Sequence, residues 1–366
     1  MSGTYSPFRH LGAVVRKRSP VQLTVFLTRR CNACCPFCFY LSRDRGGENR
    51  GPELSLEEMD KMASSLGNLL WLALSGGEIF LREDLVEAVQ IFYQRNRPAV
   101  ILLPTNGQLP EVIAAQTEAI LAKCPRSVVT VKLSIDGPEP LHDRLRGVEG
   151  ACRRTLQTYS LLKELLPRHE NFELGVNTVF CAANQDCQEE IAALVKGLEG
   201  IRTHTVSLIR GKVDDRSLKE VDLGKYQRTV AMMEAGLKNG GGRYRFRGAR
   251  IKTAQDILQR RLIHRTRMEQ KQLIPCYAGL LTLVVTETGD VYPCESFSNK
   301  LGNVRQDGYD LVRIIRSPLA AQVLAAIRKR ECHCSHECYM MMNILFNWRI
   351  YPELLKEYWS IDPTKN

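Results

Sequence analysis

Val21-Gln22-Leu23-Thr24-Val25-Phe26-Leu27 runs almost directly into Cys31-Asn32-Ala33-Cys34-Cys35-Pro36-Phe37-Cys38. The first segment is a short run rich in β-branched and large apolar residues and predicts a strand. The second sets four cysteines in the loop that follows it. The same grammar recurs along the chain, with short apolar runs at Leu69–Leu74, Ala99–Leu103, Val128–Ile135, Phe172–Phe180 and Thr203–Ile209. Each is followed by a helical stretch: Ser55–Leu66 after the first run, then Glu83–Arg95, Glu111–Ala122, Ala151–Leu166, Gln188–Leu198 and Leu223–Lys238. Ser55 with Glu58 forms the S-x-x-E start of the first helix. Six β-then-α units predict an α/β fold with a parallel sheet under helices. Eight units would close a barrel, so six predict a partial (β/α)6 TIM-type barrel with chemistry at the strand ends. A doubly wound sheet is the alternative, but no G-x-G-x-x-G follows any strand.

The chain has 366 residues, 44% hydrophobic and 25% charged, which is globular composition with room for about two domains. No apolar run approaches the ~18 residues of a membrane span, and Met1–Pro20 lacks the apolar core of a secretory signal. We therefore expect a cytoplasmic protein whose 13 cysteines are reduced. Cys124, Cys152, Cys181 and Cys187 are scattered singly and suit buried, inert thiols, whereas the clusters at 31–38 and 332–338 suit metal binding. The net charge is +11, and Gly242–Gln272 holds ten Lys/Arg against two acids. That stretch is either a solvated helical face or the mark of an anionic substrate or an acidic electron donor such as flavodoxin or ferredoxin. Nucleic acid is not expected, since Tyr244 and Phe246 alone make a thin stacking platform.

Cys31, Cys35 and Cys38 form CxxxCxxC, and three close thiolates suit an iron–sulfur cluster. Zinc with Cys34 as a fourth ligand is the alternative. Residues 31–38 resemble the CxxxCxφC signature of the radical S-adenosylmethionine (SAM) enzymes, with Phe37 in the aromatic place. The spacing also admits Cys31, Cys34 and Cys38, but the aromatic before the last cysteine favours Cys35. Gly76-Gly77-Glu78, after the second strand, resembles the family's GGE motif, which meets the SAM amino group. The resemblance spans roughly Val21–Arg210. It further implies SAM contacts from Ser134 and Asn177 on the fourth and fifth strands, and from Arg144 or Arg146 to the SAM carboxylate.

The C-terminal region resembles the family's auxiliary-cluster domains, SPASM and its shorter Twitch form. Cys276, Gly289 and Cys294 match C-x(9–15)-G-x4-C, and Cys334 with Cys338 matches the closing CxxxC. Five C-terminal cysteines support one auxiliary [4Fe–4S] cluster held by Cys276, Cys294, Cys334 and Cys338, with Cys332 a rival to Cys334. A structural zinc there is the alternative. The implied organisation is an N-terminal extension (1–20), a core barrel (21–238), a basic linker opening with the Gly240–Gly242 run (239–275) and a small auxiliary-cluster domain (276–366).

From the resemblance follow a SAM-binding [4Fe–4S] cluster, SAM, and reductive cleavage to a 5′-deoxyadenosyl radical that abstracts hydrogen from a small-molecule or peptide substrate. An oxidation or dehydrogenation, or a maturation reaction, is expected. Modification of a ribosomal peptide and a non-catalytic electron carrier or sensor are the alternatives. Glu295, beside Cys294, is the candidate base for an oxidation. Met340-Met341-Met342 and the aromatic tail from Ile344 to Trp359 suit either a seal over the auxiliary cluster or a shallow lipid contact.

Overall fold

The structure, a computed structural model, describes residues 3–17, 19–41, 51–239, 244 and 246–361. The glycine run at 240–242, read above as the opening of a linker, lies outside them.

A single turn, α1 (Gly12–Val15), precedes β1 (Gln22–Thr28). Then α2 (Leu56–Ser64), β2 (Trp71–Gly76), α3 (Leu85–Asn96), β3 (Val100–Thr105), α4 (Pro110–Lys123) and β4 (Val128–Ser134) alternate. Two helices, α5 (Glu139–Arg146) and α6 (Ala151–Lys163), lead to β5 (Phe172–Phe180), α7 (Gln188–Gly197) and β6 (Ile201–Leu208). The long helices α8 (Leu223–Lys238) and α9 (Ala249–Glu269) follow. The C-terminal region contributes β7 (Thr282–Val285), β8 (Asp290–Tyr292), β9 (Gly302–Asn303), α10 (Leu311–Ile315), α11 (Pro318–Arg328), α12 (Glu337–Leu345) and α13 (Tyr351–Ser360).

One sheet holds all nine strands in the order β6-β5-β4-β3-β2-β1-β7-β8-β9. The first six pair in parallel and do not close, which is the partial barrel expected. Strand alternation divides the side chains between two environments. Leu23, Val25, Leu72, Ile101, Leu103, Val129, Val131 and Leu133 join the apolar core beneath the helices. The intervening Thr24, Trp71, Ala73, Ser75, Leu102, Lys132, Ser134 and Thr205 line a cavity inside the barrel. The capping box at Ser55–Glu58 is present, so the first core helix starts where its sequence signal lies.

Two features depart from the linear organisation. The stretch read as a basic linker carries α9, 21 residues long. Its Ala254, Ile257, Leu258, Leu262 and Ile263 are buried in one cluster with Val206 and Leu208 of β6. Arg260 Nη2 donates to the carbonyl of His204 at 3.3 Å, so the helix covers the free edge of the barrel sheet. The second region, in turn, is not hung from the barrel on a hinge: β7 pairs in parallel with β1, Gln22 opposite Thr282 through Val25 opposite Val285. Met340, Met341 and Met342 are buried, while Trp348 and Trp359 are 63% and 73% exposed. Among the described residues no helix is long and apolar enough to cross a membrane.

A polar clamp ties the C-terminal region to α2. Arg305 Nε and Nη2 donate to Glu58 at 2.6 and 2.9 Å, and the Tyr309 hydroxyl donates at 2.9 Å. Hydrogen bonding from Arg305, above all, holds the Glu58 carboxyl down at about 2 from 4.5. A depressed carboxyl stabilises the fold above its ordinary range and loses that contribution as pH falls towards the folded value. Glu58→Gln should therefore cost about 1–3 kcal/mol at neutral pH in urea denaturation. The gap to the wild type should narrow between pH 4.5 and 2, where the native carboxyl takes up its own proton.

Candidate active site

The cavity has a volume of about 340 Å³ and opens at the C-terminal ends of the strands. Cys31, Cys35 and Cys38 all line it; Cys34 is exposed and does not. The loop is held by short-range hydrogen bonds, Cys38 N–H to the Cys35 carbonyl at 3.0 Å and Leu41 N–H to Cys38 Sγ at 3.3 Å. Cys34 N–H is bonded back to the Arg146 carbonyl at 2.9 Å, which turns that residue away from the other three. Asn106 Nδ2 lies 3.8 Å from Cys31 Sγ, and Arg146 Nη1 3.8 Å from Cys35 Sγ. Burial pushes the Cys35 thiol up to about 11, against the pull of Arg146, and raises Cys31 as well.

The second strand meets this loop through two glycines. Gly77 N–H donates to the Thr28 carbonyl at 2.7 Å and Glu78 N–H to the Arg30 carbonyl at 2.8 Å. A Cβ on Gly76, which sits at φ +133°, would stand 2.4 Å from Thr28 O, and one on Gly77 would stand 2.1 Å from Arg30 O. Only glycine permits this contact. The chain that needs the space is thus the approach to Cys31.

Glu78 is 1% exposed and accepts hydrogen bonds from Thr105 Oγ1 at 2.9 Å, Asn106 N–H at 2.7 Å and Phe80 N–H at 3.4 Å. Burial raises its carboxyl to about 7, and these bonds offset that only in part. It makes no ion pair among the described residues. Ser134 and Asn177 face the cavity side by side on β4 and β5, and Ser207 Oγ donates to Asn177 Oδ1 at 3.0 Å. Phe37 lines the wall, with the Arg146 guanidinium 5.5 Å from its ring centre. Arg146 is buried and ion-paired with buried Asp136. Arg144 needs correction: it is exposed on the outer side of α5 and does not reach the cavity, because the helix turns its neighbour two residues on inward instead.

Glu295 also needs correction. It reaches the cavity, but its Oε2 is 2.7 Å from Arg210 Nη2 and 2.6 Å from His336 Nε2. Burial would raise the carboxyl, yet His336 and Arg210 outweigh it and hold it at about 2. A carboxylate so paired is a poor proton acceptor near neutral pH; it locks the C-terminal region to the strand end after β6.

Of the C-terminal thiols, Cys276, Cys294 and Cys334 are each raised mainly by burial, with neighbouring thiols adding to it: Cys294 and Cys332 for Cys276, Cys332 for Cys294, and Cys276, Cys294 and Cys332 for Cys334. Burial, the larger cause, pushes Cys276 up to about 11. Cys338 is set apart from them and lines the central cavity. Cys332 is exposed, whereas Cys334 and Cys338 are half-buried. Among the described residues no three Cys, His, Asp or Glu side chains converge on the position of a single metal ion.

Several cavity residues had escaped the sequence reading: Lys132, Arg210, Lys252, Asp256, Arg260 and His336. Lys132 carried a signal, being a lysine inside an apolar strand. Burial first, then Lys252 and Arg260 against the pull of Asp256 and Cys338, bring its ammonium down to about 8.

Residues 25–194 match the family model of the radical SAM superfamily, and residues 276–339 match SPASM, an iron–sulfur cluster-binding domain. The chain is a radical SAM protein with a C-terminal SPASM domain. It is 27% identical over 300 residues to an AdoMet-dependent heme synthase of Methanosarcina barkeri, covering 77% of this chain and 79% of the relative. It is 26% identical over 323 residues to the antilisterial bacteriocin subtilosin biosynthesis protein AlbA of Bacillus subtilis, covering 86% of this chain and 64% of the relative. Streptococcus suis SuiB bound to S-adenosylmethionine superposes with a TM-score of 0.60 at 16% identity, over 91% of this chain and 76% of that one. The structure anSMEcpe with bound AdoMet gives 0.59 at 16% identity, over 93% and 97%. These two likenesses concern the fold.

A [4Fe–4S] cluster, SAM and an auxiliary iron–sulfur cluster are the cofactors of such a chain. The donor chemistry fits them: three thiols turned into one cavity, a buried carboxylate that makes no ion pair among the described residues, and a second group of mostly half-buried thiols in the C-terminal region. Two substitutions check these roles. Anaerobically reconstituted Cys35→Ala should lose the iron and sulfide of one four-iron cluster, while Cys34→Ala keeps the wild-type content. Glu295→Ala should lower unfolding stability by about 2–4 kcal/mol, because it leaves buried His336 and half-buried Arg210 without their anion. Unchanged stability with lost turnover would restore the base.

Proposed function

We propose that this chain is an enzyme that cleaves SAM reductively and abstracts a hydrogen atom from a substrate held inside the barrel. The observation that carries the reading is the convergence of Cys31, Cys35, Cys38, Glu78, Ser134 and Asn177 on one cavity. In this reading the three thiolates would hold the SAM-binding cluster, and Cys276, Cys294, Cys334 and Cys338 the auxiliary one, with Cys332 the rival to Cys334. When bound and reduced, the cluster with SAM supplies a 5′-deoxyadenosyl radical able to attack an unactivated C–H bond.

The chain's own residues orient and enclose. Glu78, buried and in no ion pair among the described residues, would pair with the SAM ammonium. Asn177 and Ser134 would meet SAM from the adjacent strand ends, and Phe37 with Arg146 closes the wall behind the cysteine loop. Asn106 ties the two motifs, since its N–H binds Glu78 while its side chain approaches Cys31. The apolar walls and α9 keep water from the reacting centre. The reaction class we favour is an oxidation or maturation of a compact substrate, served by an acidic flavodoxin- or ferredoxin-type electron donor. A peptide substrate is the second reading, favoured by the likeness to the subtilosin biosynthesis protein over 86% of this chain.

Anaerobic incubation with SAM and dithionite should release methionine and 5′-deoxyadenosine, read by chromatography. Cys35→Ala should release neither. A wild-type protein that carries its clusters and yields no 5′-deoxyadenosine would falsify the enzymatic reading in favour of an electron carrier.

A further inference from the structure

The cations that α9 and β4 bring into the barrel are not consumed by anything described so far. Lys132 lies two residues before Ser134 on the same face of β4, hence about 7 Å deeper than the SAM-contacting rim. It donates to Thr205 Oγ1 and has no acidic partner among the described residues. Lys252, one turn before Asp256 on α9, is ion-paired with it, and the same carboxylate accepts from the Tyr244 hydroxyl at 2.9 Å. Arg260 follows one turn later. It is 8% exposed, one nitrogen reaches only the His204 carbonyl, and Nη1 is buried with no partner.

A guanidinium cannot shed its charge, and burying it without an anion is costly. The other cavity acids do not supply one. Glu295 is taken by Arg210 and His336, Glu78 sits among Thr105, Asn106 and Phe80, and Glu337 pairs with none of the three cations. Of the described acids that line the cavity, only Asp256 faces these cations, and Lys252 and the Tyr244 hydroxyl already engage it; buried Glu173 stands deeper, on β5 opposite Thr130. Two further polar atoms of the same cavity, Trp71 Nε1 and Thr24 Oγ1, are also buried without partners, and the indole can only donate.

We propose that Lys132, Lys252 and Arg260 form an anion subsite deep in the barrel, which takes the carboxylate or phosphate group of a small-molecule substrate. The proposal rests on the reading of the cavity as a substrate chamber and narrows it to an anionic class. It also gives the basic stretch of the sequence its purpose: part of that charge is turned inward.

The test uses full-length, cluster-loaded protein under anaerobic conditions with SAM saturating. Citrate and pyrophosphate are titrated separately by calorimetry. At least one should bind with unit stoichiometry, tighter citrate indicating a carboxylate substrate and tighter pyrophosphate a phosphorylated one. Arg260→Gln and Lys132→Gln should each weaken that probe roughly tenfold, the loss of one charged hydrogen bond, while SAM affinity stays unchanged. In melting experiments the wild type should be stabilised by the probe and Arg260→Met should not, though the variant alone should melt no lower than the wild type. The proposal is overturned if neither probe binds, if both Gln variants bind as the wild type does, if SAM affinity falls in step with probe affinity, which would assign the cations to the SAM carboxylate, or if Arg260→Met alone melts markedly lower, which would make Arg260 a structural strut. Probe binding by protein that forms no 5′-deoxyadenosine would support the subsite and sink only the enzymatic reading.

Discussion

The site depends on two side chains that are missing. At Gly76 and Gly77 the end of β2 presses against the backbone leaving β1, and Cβ atoms there would fall 2.4 and 2.1 Å from Thr28 O and Arg30 O. The resulting hydrogen bonds, Gly77 to Thr28 and Glu78 to Arg30, join two loops that are far apart along the chain. One loop carries the thiols and the other the Glu78 carboxylate, so a single backbone seam sets the distance between the cysteine loop and a buried acid. Asn106 stitches the third strand end to both.

Around that seam the charges are settled group by group. Asp136 answers Arg146, Glu295 answers Arg210 and His336, and Asp256 answers Lys252. The acid of each pair is buried, with Arg210 and Lys252 half-buried, and breaking such a pair by removing one member costs more than breaking a surface pair would. What is left over has direction: an acid without a cation beside the cysteines, and cations without an acid further in. A substrate molecule and SAM with complementary charges would complete both ends.

Much of this architecture was legible in the chain. The six apolar runs became β1–β6, with Phe172–Phe180 and Leu223–Lys238 matching the sequence reading to the residue, because strand and helix periodicities are local properties. The thiol loop and the glycine pair were legible for the same reason. Long-range choices were not. Nothing in Thr282–Val285 announces that it joins the barrel sheet beside β1, and a stretch with ten basic residues gives no local sign that Arg260 and Lys252 turn inward. Glu295 read as a base because its neighbour is a cysteine; its true partners, Arg210 and His336, stand 85 and 41 residues away. Arg144 and Arg146 differ only in which side of α5 they occupy.

The pairing of β7 with β1 makes the C-terminal region a seamless continuation of the barrel rather than an attached module. Strand β1 lies inside the sheet rather than at its edge only because β7 is present; without it, the backbone that leads into the thiol loop would become a bare border, open to mispairing with other chains. The region named for its iron–sulfur chemistry is therefore also a mechanical buttress, and the two parts of the molecule should be expected to melt together and to have diversified under a shared constraint.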